Sequence, residues 1–171
     1  MKKWLACIIL FILVESIPAT ASAKSIRYTT QKVRLDKMVK HNTKVEFIKS
    51  GKKNAVIKYK GQKYTINRKY LHSKKSVRKY SGAYLRRAGR IRWGGYSFTW
   101  YSQKIMPGLK VPGKHVDKQG FVCDKDGYIV VGSSVANKSK RVIVPTPFGK
   151  YGKTYDCGYV GSKHFDCYVN W

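Results

Sequence analysis

Apolar and polar positions alternate in short runs along most of this chain, and no stretch of ten or more residues carries a helical stripe. Residues 43–48 (TKVEFI) read as a strand and residues 50–54 as a turn. Residues 55–60 alternate, with Ala55, Ile57 and Tyr59 on one face. Gly61-Gln62 is the tight connection to a returning strand at 63–67, and Tyr70-Leu71 closes the unit. Further on, residues 96–102 (YSFTWYS) form a strong strand pattern. A long irregular section follows, residues 103–127, punctuated by Pro107-Gly108, Pro112-Gly113, Gly120 and Gly127. Apolar strands are then expected at 128–132 and 141–145, a turn at 146–149, and strands at 153–156 and 164–171. The expected class is all-β, with a small barrel at 24–80 and a second barrel of about six strands at 96–171. Residues 81–95, rich in Gly and Arg, read as a basic linker with one short helical turn at 83–87.

The candidate chemistry lies at the end of the chain, in residues 154–171 (TYDCGYVGSKHFDCYVNW). Asp156 and Asp166 are each followed by a cysteine, Cys157 and Cys167. Neighbouring side chains on a strand point to opposite faces, so if both aspartates face a cleft, both cysteines face the core. The competing reading is a pair of loop aspartates that only lighten a basic surface. Tyr101 and Ser102 would end the first strand of this barrel near such a cleft. Trp100 and Tyr101 alternate, so one of them faces the groove and the other packs inside. His164 shares the strand face of Asp166 and is a second candidate group. His115 sits on a loop, where a lone histidine is more often a surface residue than an acid or base.

Charge adds a partner class. The formal net charge is +28. Between Lys24 and Arg92 there are 23 Lys and Arg against 2 acids, and between Trp93 and Trp171 there are 11 against 5. Such a balance calls for anionic surroundings. Residues 1–23 have the form of a secretion signal: Lys2 and Lys3, an apolar run from Trp4 to Val14, and a small-residue site at Ala21-Ser22-Ala23. That run is too short to cross about 30 Å of hydrocarbon, so no stable membrane insertion is expected after cleavage. Export turns the basic charge toward anionic wall polymers, and the chain lacks the motifs that would point to nucleic acid. The arginines at 86, 87, 90 and 92 are the type that grips phosphates, although such runs are commonly just solvated. Cys123, Cys157 and Cys167 allow one disulfide and a free thiol, or no disulfide. They lack the paired spacing of zinc ribbons, so neither a metal nor another cofactor is expected.

Two family resemblances extend this reading. Residues 44–71 (KVEFIKSGKKNAVIKYKGQKYTINRKYL) resemble bacterial Src-homology-3-like wall-targeting modules. The later motifs are Phe98-Thr99-Trp100-Tyr101-Ser102, Gly127-Tyr128-Ile129-Val130-Val131 and Thr146-Pro147-Phe148-Gly149, closed by Tyr155-Asp156-Cys157-Gly158 and Phe165-Asp166-Cys167-Tyr168. Together they resemble the three-aspartate (3D) domain, a double-psi β-barrel similar to membrane-bound lytic transglycosylase A and to rare-lipoprotein-A-like proteins. The resemblance covers residues 96–171. It implies a secreted cell-wall protein that binds peptidoglycan glycan strands and cleaves them as a lytic transglycosylase or glycosidase, with Asp156 and Asp166 as the catalytic pair. Tyr101, Ser102 and His164 would then contact substrate. One departure stands out: the family's first aspartate follows the apolar strand, where this chain has Val131-Gly132-Ser133-Ser134. The alternative is therefore a non-catalytic, basic wall-binding or adhesion module.

Overall fold

The computed structural model describes residues 25–105, 107–134, 141–158, 160, 161 and 163–171. The expected signal at 1–23 lies outside the described residues. Strands dominate and one α-helix is present among the described residues, so the chain is mostly β.

The first sheet is built from β1 (Ser25–Thr29), β4 (Lys44–Ser50), β5 (Asn54–Tyr59), β6 (Gln62–Asn67) and β7 (Leu71–His72), in the order β6-β5-β4-β1-β7. A separate pair, β2 (Val33–Arg34) and β3 (Met38–Val39), lies between β1 and β4 in the chain. Alternation along β5 puts Ala55 and Ile57 inside, and Ile57 packs with Val45, Ile66 and the partly buried Leu35, Tyr59, Tyr64 and Leu71. The β5–β6 connection was expected at Gly61-Gln62. It falls one residue earlier, because Tyr59 pairs with Gln62 and the two loop residues are Lys60 and Gly61. Both have positive φ, 49° and 85°, as a two-residue turn matched to strand twist requires.

The stretch expected as a linker carries regular structure. It holds α1 (Gly82–Ala88) and β8 (Ile91–Trp93), which pairs with β9 (Tyr96–Ser102). Ser81 caps α1 by accepting a hydrogen bond from the Tyr84 amide at 3.1 Å. Leu85 and Ile91 are buried in the second core. These two apolar positions among many basic ones anchor a segment whose composition alone reads as loop.

The second sheet contains eight strands, of which residues 96–171 supply seven where about six were expected. Besides β8 and β9 the sheet holds β10 (His115–Val116), β11 (Val122–Cys123), β12 (Ile129–Gly132), β13 (Ile143–Pro145), β14 (Tyr151–Asp156) and β15 (His164–Val169). Its main path is β10-β11-β12-β15-β9-β8, with β14 on β12 and β13 on β14. Two pairings are parallel, β15 with β9 and β12 with β14. Parallel neighbours require long crossovers, so residues far apart in sequence become lateral neighbours. One face of this sheet carries the main core: Phe98, Phe121, Ile129, Val131, Phe148, Phe165, Cys167 and Val169, with Trp100 and Trp171 against it. The other face carries a smaller cluster of Val122, Val130 and Tyr168, joined by Tyr101, Leu109, Val111 and Tyr155.

Cys123, Cys157 and Cys167 are all free thiols. Cys123 and Cys167 are buried, and burial pushes the Cys123 thiol up to about 11, so it is neutral near pH 7. Cys157 is exposed, contrary to the expectation that it faces the core. The reason is that β14 ends at Asp156, so strand alternation does not extend to the next residue.

The two sheets are joined by polar contacts. Thr30 and the Tyr128 hydroxyl share a buried hydrogen bond at 2.6 Å. The Ser76 hydroxyl donates to the Thr146 carbonyl at 2.7 Å and accepts from the Thr146 amide. Tyr151 donates to the Lys74 carbonyl at 2.9 Å, and Arg78 forms an antiparallel bridge with Phe148. Among the described residues no helix is long and apolar enough to cross a membrane.

Candidate functional site

The register of four strands assembles the candidate site. Gly132 on β12 lies opposite Asp156 on one side and Asp166 on the other. Asp166 in turn lies opposite Thr99 on β9. Residues opposite one another across paired strands present their side chains to the same face. Asp156, Gly132, Asp166 and Thr99 therefore form one lateral row, on the face opposite the main core. With strands about 4.8 Å apart, the backbones of Asp156 and Asp166 stand about 9.6 Å apart across β12. A register shift between Val131 and Gly132 lets Asp156, rather than Tyr155, reach this row.

Both oxygens of Asp156 accept hydrogen bonds. The Tyr168 hydroxyl donates to Oδ2 at 2.7 Å and the Cys157 amide donates to Oδ1 at 2.8 Å. Burial raises the Tyr168 pKa, and its bond to Asp156 raises it further, so this phenol stays protonated as a donor. On the other side of Gly132, the Thr99 hydroxyl donates to Asp166 Oδ1 and also lies 2.6 Å from His164 Nε2. A threonine hydroxyl has one proton, so if it is given to Asp166, the His164 Nε2–H supplies the second bond. His164, Thr99 and Asp166 thus form a continuous donor–acceptor chain, with Nε2 3.7 Å from Asp166 Oδ1. The Asp166 and His164 side chains keep 23% and 19% of their exposure, so solvent or a ligand reaches both.

Gly132 lies buried in the middle of the row. A Cβ built there would meet Asp156 Oδ2 at 3.6 Å and the Tyr168 ring at 3.7 Å, ordinary contacts that leave room for a small side chain. The Asp156 side chain and the Tyr168 ring close over that point.

The expected residues divide. Asp156, Asp166 and His164 share the row or border it. Tyr101 lies on the same face, with its ring 5.8 Å from that of Tyr168. Ser102 does not join them: it is the next residue on β9 and points to the opposite face, where it is buried and its hydroxyl accepts from the Lys104 amide at 3.3 Å. Trp100 likewise packs toward the core, 6.3 Å from Trp171. Thr99 and Tyr168 were not singled out by sequence. Tyr168 was the findable one, two residues after Asp166 on a strand; Thr99 needed the β9–β15 register.

The remaining carboxylates of this half are structural. Asp124 is fully buried and accepts from Lys153 Nζ at 2.8 Å, the Tyr155 hydroxyl at 2.7 Å, and the Asp126 and Tyr128 amides. Burial by itself would raise its pKa, but the Lys153, Tyr155 and Tyr128 bonds outweigh that and hold it below the usual value. Asp117 pairs with Lys150 at 2.7 Å and caps the turn before β11. Among the described residues no group of three His, Cys, Asp or Glu could hold a metal ion. Five clefts stand out among the described residues, and Asp156 and Asp166 line none of the five. Comparison with family models, curated proteins and solved structures finds no match to this chain.

Proposed function

We propose that this is an exported cell-wall protein whose second half is a double-psi-like barrel that binds and cleaves peptidoglycan glycan strands across the Asp156–Gly132–Asp166 row. The first half is a Src-homology-3-like module in the same reading, and its basic surface draws the protein to peptidoglycan or another anionic wall polymer. One observation carries the proposal. The two aspartates of the motifs that resemble the three-aspartate domain stand on one face, one strand apart, each oriented by a hydrogen-bonded neighbour. Two carboxyls that serve inversion stand about 6.5–9.5 Å apart, and this pair is carried by strand backbones about 9.6 Å apart. A transglycosylase needs only one. Asp156 protonates the glycosidic oxygen as the bond breaks, then takes the proton of the sugar's own 6-hydroxyl as that oxygen closes a 1,6-anhydro ring. Asp166, with Thr99 and His164, stabilises the positive charge that develops on the sugar.

A second reading has its own observation. Gly132 stands in the centre of the row, and Gly132-Ser133 replaces the further aspartate of the resembling family, which favours a wall-binding module without turnover. Mass spectrometry of purified peptidoglycan after incubation with the protein separates the two. Anhydro-muropeptides that vanish in a folded Asp156→Asn variant support the transglycosylase, and new reducing ends indicate a hydrolase. Sedimentation with the wall and no products would establish the binding module.

A further inference from the structure

Three cavities run into one another along the seam between the two sheets. The central one, about 400 Å³, has Thr30, Gln31, Lys32 and His41 on the side of the first sheet and Lys125 and Lys150 on the side of the second. A cavity of about 500 Å³ shares His41 and Lys150 with it and adds Lys75 and Arg78. A third, about 320 Å³, shares Gln31 and Lys125 and adds Lys69 and Arg141. Asp126 is the one carboxylate that lines any of them among the described residues, and Lys153 already holds it at 3.4 Å. No carboxylate among the described residues pairs with Lys32, Lys75 or Lys125. Concave walls of protein around unpaired cations concentrate positive potential, since field lines are focused where the low-dielectric walls exclude water.

We propose that this seam is the groove for a linear, phosphate-bearing polyanion. Length is the first argument: three cationic cavities in series fit a chain of charges better than a single ion. Residue type is the second. Lysines outnumber arginines along the seam, and both the compact ammonium of lysine and the guanidinium forks of Arg78 and Arg141 are groups that hold phosphate oxygens. The floor is neutral and polar, with Thr30 and Tyr151 already bonded to Tyr128 and to Lys74, so it has few free donors with which to read sequence or sugar identity. The inference deepens the wall-polymer reading by giving the polymer a place and a chemistry. It is separable from the carboxylate row, because Asp156 and Asp166 line none of these cavities.

The test is titration calorimetry of the full chain with medium-length inorganic polyphosphate at fixed ionic strength. The seam variant is Lys32→Gln with Lys125→Gln, both exposed positions whose loss leaves the core untouched. The control is Lys52→Gln with Lys53→Gln in the β4–β5 turn, which removes the same charge elsewhere. The seam variant should weaken polyphosphate binding about tenfold and the control less than about twofold. Equal losses would mean diffuse attraction and overturn the groove. Poly-glutamate of matched length binding as tightly as polyphosphate would overturn the phosphate chemistry. Displacement of polyphosphate by orthophosphate at equal phosphate concentration would overturn the requirement for a linear polymer. Product release from peptidoglycan is assayed on the same variants: unchanged turnover with lost polyphosphate binding confirms that the two sites are separate.

Discussion

The two sheets differ in how much apolar side chain holds them and in how much charge they carry. Three buried residues, Val45, Ile57 and Ile66, centre the first, while twelve buried residues form the main cluster of the second. Residues 24–81 carry 19 Lys and Arg against 2 acids, and residues 82–171 carry 15 against 5. A thin core burdened with like charge has little margin of its own, because hydrophobic gain scales with buried area while self-repulsion opposes compaction. The first sheet therefore leans on the second through Thr30, Ser76 and the bridge of Arg78 to Phe148. The second spends its carboxylates differently: Asp117 and Asp124 are committed to lysines inside the fold, and Asp156 and Asp166 are left on a face that a ligand can reach.

The largest effect on stability is expected at Asp124. Asp124→Ala leaves Lys153 without its buried partner and should cost about 3–5 kcal/mol, read by urea unfolding. The pH dependence follows the same group. Its folded pKa is lowered, so the ionised form stabilises the fold above the unfolded value near 3.9, and that stability is lost as pH falls through the lower, folded value. Wild type should lose stability as pH is taken below about 4, and Asp124→Asn, already weaker at pH 7, should show a flatter acid limb.

Leu85→Ala comes next, at about 2–5 kcal/mol for a fully buried leucine. It asks whether residues 82–93 belong to the second core. A loss under about 0.5 kcal/mol would return them to the status of a connector. Ser76→Ala should cost about 1–3 kcal/mol, because it strips a buried partner from the Thr146 amide. Its effect should appear first as faster hydrogen exchange in β1 and β7, with β12 and β15 little changed. The smallest effect is expected for Gly132→Ala. Its Cβ meets only ordinary contacts and removes a strand glycine, so stability should move by less than about 1 kcal/mol. Any change in wall binding in that variant would then report on the row itself rather than on folding.

Alternation was legible in the sequence because it is local. Ile57 inside and Lys58 outside, Cys167 inside and Asp166 outside, follow from the opposite faces taken by successive strand residues, whatever the strand pairs with. The charge asymmetry and the β character follow from composition in the same way. What failed locally failed at element ends and in basic segments. Cys157 lies just past β14, and the arginine-rich run at 86–92 hid the two apolar anchors of a helix and a strand.

The strand positions of Asp156 and Asp166 and the formal net charge of +28 are written in the sequence alone. Tertiary pairing put Gly132 between the two aspartates, brought Thr99 to His164, 65 positions further along the chain, and left a seam lined by lysines between the two sheets. The physical reason is register. A strand's own pattern says which face a side chain takes, but which residue lies beside it is set by non-local pairing, and parallel pairs such as β9 with β15 leave no short turn in the sequence to announce it.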